Sequence, residues 1–186
     1  MFADVSFALS AGAALLLRGP NGAGKSSLLR LLAGFLEPAA GILSWNGRPV
    51  RDGPGEHRGR LHLIGHGNAI KSALTVRENL RFAIALSGAP AAGIEPALAN
   101  FDLAPLADVP GRYLSAGQTR RLALARLLAA PRPLWLLDEP DAGLDAASRE
   151  RLARAVARHR AGGGIVVIAT HGDVGVRAPH VLELAA

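Results

Sequence analysis

Cysteine is absent from this chain of 186 residues, lysine is nearly so, and aromatic residues make up only 4% of it. Without cysteine there is no disulfide, no zinc site built on thiolates and no thiol nucleophile. No run of 18 uninterrupted apolar residues exists, so the sequence offers no membrane span. Asp4 and Ser6 interrupt any basic-then-apolar leader, and a cytosolic location is expected. The scarcity of stacking rings, with no basic stretch interleaved with them, argues against a nucleic-acid partner despite a net charge of +6. Disorder is excluded by an apolar content of 49% against a charged content of 19%. Only two of the 21 basic residues are lysines, Lys25 and Lys71. The excess of arginine beside Ala, Gly and Pro reads first as a compositional bias of the genome. The group Arg149, Arg151, Arg154, Arg158 and Arg160 reads as a solvated helix face.

What the chain does contain is an alternation of apolar strands and helices. Phe2, Val5, Phe7 and Leu9 alternate as in a strand, and Ala13 to Leu17 is a continuous apolar strand suited to a buried parallel sheet. A helix is expected from Lys25 to Ala33, closed by Gly34. Ile42 to Trp45, followed by Asn46-Gly47, predicts a hairpin arm and turn. Arg51 to Gly59 reads as a polar loop and Leu61 to Ile64 as a short strand. Helical patterns cover Thr75 to Leu86, Gly93 to Phe101, Gly117 to Ala129 and Ala146 to Arg160. Strands are expected at Leu134 to Leu137 and Ile165 to Ala169. The fold class is α/β, with a mostly parallel sheet, a small antiparallel part and a helical insert at roughly residues 70–130 of one domain spanning 1–186.

Three segments carry chemistry. Gly19-Pro20-Asn21-Gly22-Ala23-Gly24-Lys25-Ser26 fits G-x-x-x-x-G-K-[ST]. Its glycines let backbone N–H groups turn inward around a phosphate, and the helix that follows adds its positive end. Lys25 supplies a point charge for the β- and γ-phosphates, and Ser26 a hydroxyl for Mg²⁺. A chain that uses arginine almost everywhere keeps lysine here, where a planar fork fits less well than an ammonium. The second segment, Leu134 to Glu139, is an apolar strand ending in two carboxylates. Asp138 is placed to hold the metal, and Glu139 to polarise water on the γ-phosphate side. The third, Leu114-Ser115-Ala116-Gly117-Gln118, opens the helix bearing Arg120, Arg121 and Arg126, with Ser115 and Gly117 placed to donate to an anion.

In this order the motifs resemble the ATP-binding-cassette (ABC) family over nearly the whole chain. The family's signature is LSGGQ, with Ala116 here in place of one glycine. The resemblance implies a P-loop NTPase fold with ATP and Mg²⁺ as ligands. It implies a D-loop at Asp141-Ala142-Gly143-Leu144-Asp145, a catalytic switch histidine at His171 after Thr170, and nucleotide contacts from Ser27 and Gln118. It also implies a head-to-tail dimer, in which the signature of one copy closes on the ATP held by the other. Leu63 to Lys71, then Leu74-Thr75-Val76-Arg77-Glu78-Asn79-Leu80, is similar to the ATPase subunits of cytochrome c maturation exporters. That likeness implies an ATP-hydrolysing subunit of a membrane transporter. It would sit at the cytoplasmic face of the inner membrane with an integral permease and serve haem handling. The alternatives are the ATPase of another small bacterial exporter, or a cassette ATPase outside transport.

Two departures stand out. The family's glutamine in the loop after Ile64 is missing. Gly67 and Asn68 stand there instead, with His66 beside them. The aromatic residue that stacks on adenine, on a strand upstream of the point where this chain starts, has no counterpart. Phe2 stands too close to the next strand to replace it. Either the start is late, or adenine is held weakly.

Overall fold

The computed structural model describes residues 4–88, 90–172 and 174–185. They form two compact units, one drawn from Met1–Gly65, Arg132–Glu139 and Ala157–Ala186, the other from His66–Pro131 and Pro140–Val156. In chain order the first unit supplies β1 (Ala14–Arg18), α1 (Lys25–Leu32), β2 (Ser44–Trp45), β3 (Arg48–Pro49), α2 (Pro54–Gly59) and β4 (Leu61–Ile64). The second unit supplies α3 (Val76–Ser87), α4 (Ile94–Asn100) and α5 (Ala116–Ala129). β5 (Leu134–Asp138) returns to the first unit, α6 (Ala146–Ala161) begins in the second and ends in the first, and β6 (Ile165–Ala169) and β7 (His180–Glu183) complete the chain.

The main sheet of the first unit runs β4-β5-β6-β1-β7 with every pair parallel. β2 and β3 form a separate antiparallel pair across the Asn46-Gly47 turn, as the sequence predicts. The central strands are continuous apolar runs because both faces are covered. Leu15, Leu17, Leu136 and Val167 share one core with Leu28, Leu29 and Leu32. Those three leucines fall on one stripe of α1, which docks that helix on the sheet. Register then sets the functional edge. Leu17 lies opposite Ala169, and Asp138 also lies opposite Ala169. The C-terminal ends of β1, β6 and β5 therefore stand level and adjacent, the place where open parallel sheets bind ligands.

In the second unit α5 is buried almost all round, through Leu122, Ala123, Leu124, Ala125, Leu127 and Ala129. Its start and that of α3 are closed by the same device, a reciprocal capping box.

Two sequence expectations are corrected, and one strand is added. Residues 5–9 form no strand. Val5 and Leu9 are partly buried against the core without a ladder partner, and Phe2 lies outside the described residues. Arg51 to Gly59 is not a loop: Val50–Asp52 is a 3-10 turn and α2 follows. Pro54 at the first helical position is pre-set for a helix start, and buried His57 locks it in place, its ring Nε2 donating to the Leu32 carbonyl at 2.8 Å. β7 was not expected, because its short, mostly exposed sequence shows no apolar alternation, yet it pairs with β1 from Leu15↔His180 to Arg18↔Glu183.

Candidate active site

The phosphate loop leaves β1 at Gly19, whose φ of +136° already departs from what a side chain tolerates. A Cβ there would lie 2.4 Å from the Leu184 carbonyl oxygen, so only glycine lets the chain turn at this point. Gly22 (φ +86°) and Gly24 (φ +95°) complete the curl. Gly24 is also the N-cap of α1, and it offers no side-chain cap to the first-turn amides of Lys25, Ser26 and Ser27. Those N–H groups and the helix dipole make a cradle for an anion. Lys25 is buried at 8% exposure, and its Nζ donates to the carbonyls of Gly19 at 2.7 Å and Pro20 at 3.0 Å. The ammonium is thereby held inside the loop's curl.

Ser26 Oγ donates to Asp138 Oδ2 at 2.7 Å, joining the helix start to the end of β5 across a separation of 112 residues. A hydroxyl and a carboxylate are hard oxygen donors. Among the described residues no group of three or more His, Cys, Asp or Glu gathers to cage a metal. This donor set fits Mg²⁺, which takes one or two carboxylates and fills its shell from phosphate oxygens and water.

Glu139 sits at φ +44°, an uncommon conformation for a non-glycine residue. Its N–H donates to Ala169 O at 2.8 Å, which ties the turn to the end of β6. The next residues of that strand's exit are Thr170, 1% exposed, and His171. Thr170 Oγ1 accepts from the Gly172 N–H at 3.0 Å, and His171 Nε2 stands 3.5 Å from Glu139 Oε1. Half-buried Glu139 can accept a proton from water, and His171 is near enough to orient that carboxylate. Lys25, Ser26, Asp138, Glu139 and His171, five of the residues singled out in the sequence, therefore meet in the first unit.

Ser115, Gly117 and Gln118 lie in the second unit. Ser115 Oγ accepts from Gln118 N at 3.2 Å, and Gln118 Oε1 accepts from Ser115 N at 2.8 Å. The Ser115 hydroxyl proton, the Gly117 N–H and the Gln118 side-chain Nε2 are the donors at this helix start. They line a cavity of about 180 Å³ together with Arg121, Gly143, Leu144, Asp145 and Ser148. Asp145 caps α6 by accepting from Ser148 N at 2.8 Å, and the hydrogen bonds from Ser148 hold its carboxyl below the usual range. Arg121 donates to the carbonyls of Phe101 and Asp102, each at 3.1 Å.

The loop after β4 is built from residues that composition did not mark out. Asn79 is 5% exposed and uses its whole carboxamide, accepting from Lys71 N and donating to the carbonyls of Lys71, Leu74 and Thr75. The one available signal was a polar residue on the apolar face of α3. Asn68, considered for the missing glutamine, gives its Oδ1 to Arg120 at 3.0 Å, while His66 is exposed.

Comparison with known proteins bears on this geometry. The family model described as ABC transporter matches residues 2–142. The cytochrome c biogenesis ATP-binding export protein CcmA of Rhodospirillum rubrum is 56% identical over 184 residues, which is 99% of this chain and 79% of that protein. The protein of the same name from Paramagnetospirillum magneticum is 54% identical over 188 residues, covering 99% of this chain and 87% of its own. Among solved structures, a dimeric ATP-binding cassette in a post-hydrolysis state, bound to ADP and Pi, superposes with a TM-score of 0.87. It is 23% identical and covers 98% of this chain and 85% of that one, so the likeness concerns the fold.

Proposed function

This chain belongs to the ABC transporter family, and on that premise we propose that it is the ATP-binding and ATP-hydrolysing subunit of the membrane complex serving c-type cytochrome biogenesis. The observation that carries the catalytic part is the Ser26–Asp138 contact at 2.7 Å beside the curled phosphate loop. The names and near full-length identity of the relatives support the transport part over another exporter or a cassette ATPase outside transport.

In this reading residues 1–186 are one nucleotide-binding domain, with its helical subdomain at roughly 70–130. ATP lies with its phosphates against Gly19, Pro20, Asn21, Gly22, Ala23, Gly24, Lys25, Ser26 and Ser27. Lys25 leaves its carbonyl partners for the β- and γ-phosphates. Ser26 and Asp138 hold Mg²⁺, which when bound withdraws charge from the phosphate oxygens. Glu139 takes the proton of the water that attacks the γ-phosphorus, as the bond to the ADP oxygen breaks. His171 keeps the carboxylate aimed. Ser115, Gly117 and Gln118 contact the γ-phosphate held by a second copy, in a two-fold pair.

No helix among the described residues is long and apolar enough to cross a membrane. The names of the relatives support a place at the cytoplasmic face of the inner membrane, and this reading docks the chain there on an integral permease through the loop near Gly67 to Lys71. Gentle extraction of native membranes tests this. The chain should co-purify with a polytopic membrane protein, and Ile70→Asp should release it. Recovery as a free, fully active monomer contradicts the proposal.

A further inference from the structure

Arg120 is a charged side chain carried inward on α5, 5% exposed. Its Nε donates to the Pro140 carbonyl at 3.3 Å and its Nη1 to Asn68 Oδ1 at 3.0 Å. From the same helix Arg126 Nη1 donates to the main-chain oxygens of Asn68 at 3.1 Å and Ala69 at 3.4 Å. Ala69 has φ +50°, a conformation an alanine keeps only when its surroundings impose it. Two arginines therefore hold the loop at 66–71, one by its side chain and one by its backbone. A guanidinium is strongly disfavoured out of water unless its donors are used, so these contacts and the burial of Arg120 depend on each other. The Asn68 Oδ1 is engaged in this arrangement.

The far end of the link is the informative one. Pro140 directly follows Glu139 in the chain. The Glu139 N–H fastens one side of its turn to Ala169, and the Pro140 carbonyl, on a residue whose ring limits φ, is the acceptor that fastens the other side to Arg120. We propose that Arg120 is a positioning residue for hydrolysis. It fastens the loop at 66–71 to the main chain just after Glu139, so that a displacement of the loop becomes a displacement of the carboxylate. Asn68 is the loop's point of attachment. The role of Arg120 rests on the reading of Glu139 given above, whereas the mechanical link does not.

Two measurements on the full chain test it. In steady-state ATPase assays Arg120→Gln should lower kcat about ten- to hundredfold, the cost of a carboxylate misplaced by about 1 Å, with KM for ATP kept within about twofold. Asn68→Ala should lower kcat in the same sense, and the double variant should be no worse than Arg120→Gln alone, because both cut one link. Asn68→Asp, which keeps an acceptor for the guanidinium, should restore turnover. Additive losses, or a raised KM with kcat intact, overturn the proposal. The second measurement is amide hydrogen exchange of Asn68→Ala without nucleotide. Exchange should rise together at 66–71 and at 141–145, by about fivefold or more. A rise confined to 66–71 overturns the link. A wild-type chain without ATPase activity overturns the reading of Glu139 and the role given to Arg120, while the exchange result still decides the link.

Discussion

α1 and α5 both offer an N-terminus to an anion, but they begin in opposite ways. α1 starts from Gly24 in the left-handed region, with no side chain over its first amides. α5 starts from Ser115 in extended conformation, inside a closed capping box with Gln118. The difference is one of how each end binds charge. The α1 end is a backbone site, made of N–H groups and one enclosed ammonium, and it suits a ligand carrying several negative charges. The α5 end has already satisfied part of itself and keeps a few donors, enough to recognise one phosphate face but not to hold a nucleotide alone. In the proposed function the strong end holds the nucleotide of its own copy, and the weak end closes over that of a second.

The contrast breaks most severely at Lys25. Lys25→Ala removes the enclosed charge and should leave no measurable nucleotide binding or turnover. Lys25→Arg should fail as well, because the fork is wider than the ammonium. An arginine variant with normal kcat would show that the curl of Gly19 and Pro20 does not select the cation. Glu139→Gln should lower kcat by about two to four orders of magnitude while ATP binding survives, as equilibrium nucleotide titration beside the assay would show. Wild-type turnover in that variant sinks the assignment of the base.

The two capping boxes sharpen the comparison further. Thr75→Ala and Ser115→Ala should each cost about 1 kcal/mol of stability in denaturant unfolding. Only Ser115→Ala should also lower turnover, by about tenfold, through loss of a hydrogen bond to a charged oxygen. Equal kcat in the two variants would reduce Ser115 to an ordinary helix cap.

The smallest effect is on pH dependence. His159 stacks on Trp135 with ring centroids 3.9 Å apart, and burial pushes its pKa below the ordinary 6.5. The unfolded chain then takes up this proton before the folded one, so stability is full above about 6.5 and falls as pH drops toward the lower folded value. Thermal unfolding of His159→Phe should show a shallower loss between about pH 7 and pH 5.5 than the wild type. Parallel slopes would remove His159 from the account.

Much of this was legible in the sequence because the relevant physics is local. The limits of β4 at Leu61–Ile64 match the apolar run, and α1 opens at Lys25 as the glycine-rich loop requires. The Asn46-Gly47 turn pairs β2 with β3 as its dipeptide predicts. What was missed is held by distant partners. α2 contains Pro54, Gly55 and Gly59, poor helix formers, and the His57–Leu32 hydrogen bond that helps fix it crosses 25 residues. β7 is defined by its ladder to β1, not by its own pattern. In the site, Lys25 and Ser26 follow from spacing, and Asp138 and Glu139 from an apolar strand that ends in acids. The roles of Arg120 and Asn68 depend on contacts spanning 52 and 58 residues that no local pattern encodes, whereas the contacts of Asn79 span only 4 to 8.

The central claim is that the α1 end and the α5 end meet one nucleotide only when two copies pair. Light scattering of Glu139→Gln, with and without Mg-ATP, addresses it most directly. The account predicts monomer without nucleotide, a species of twice that mass with Mg-ATP, and return to monomer when Lys25→Ala is added. A chain that stays monomeric at saturating Mg-ATP, while the wild type hydrolyses at full rate under the same conditions, contradicts it.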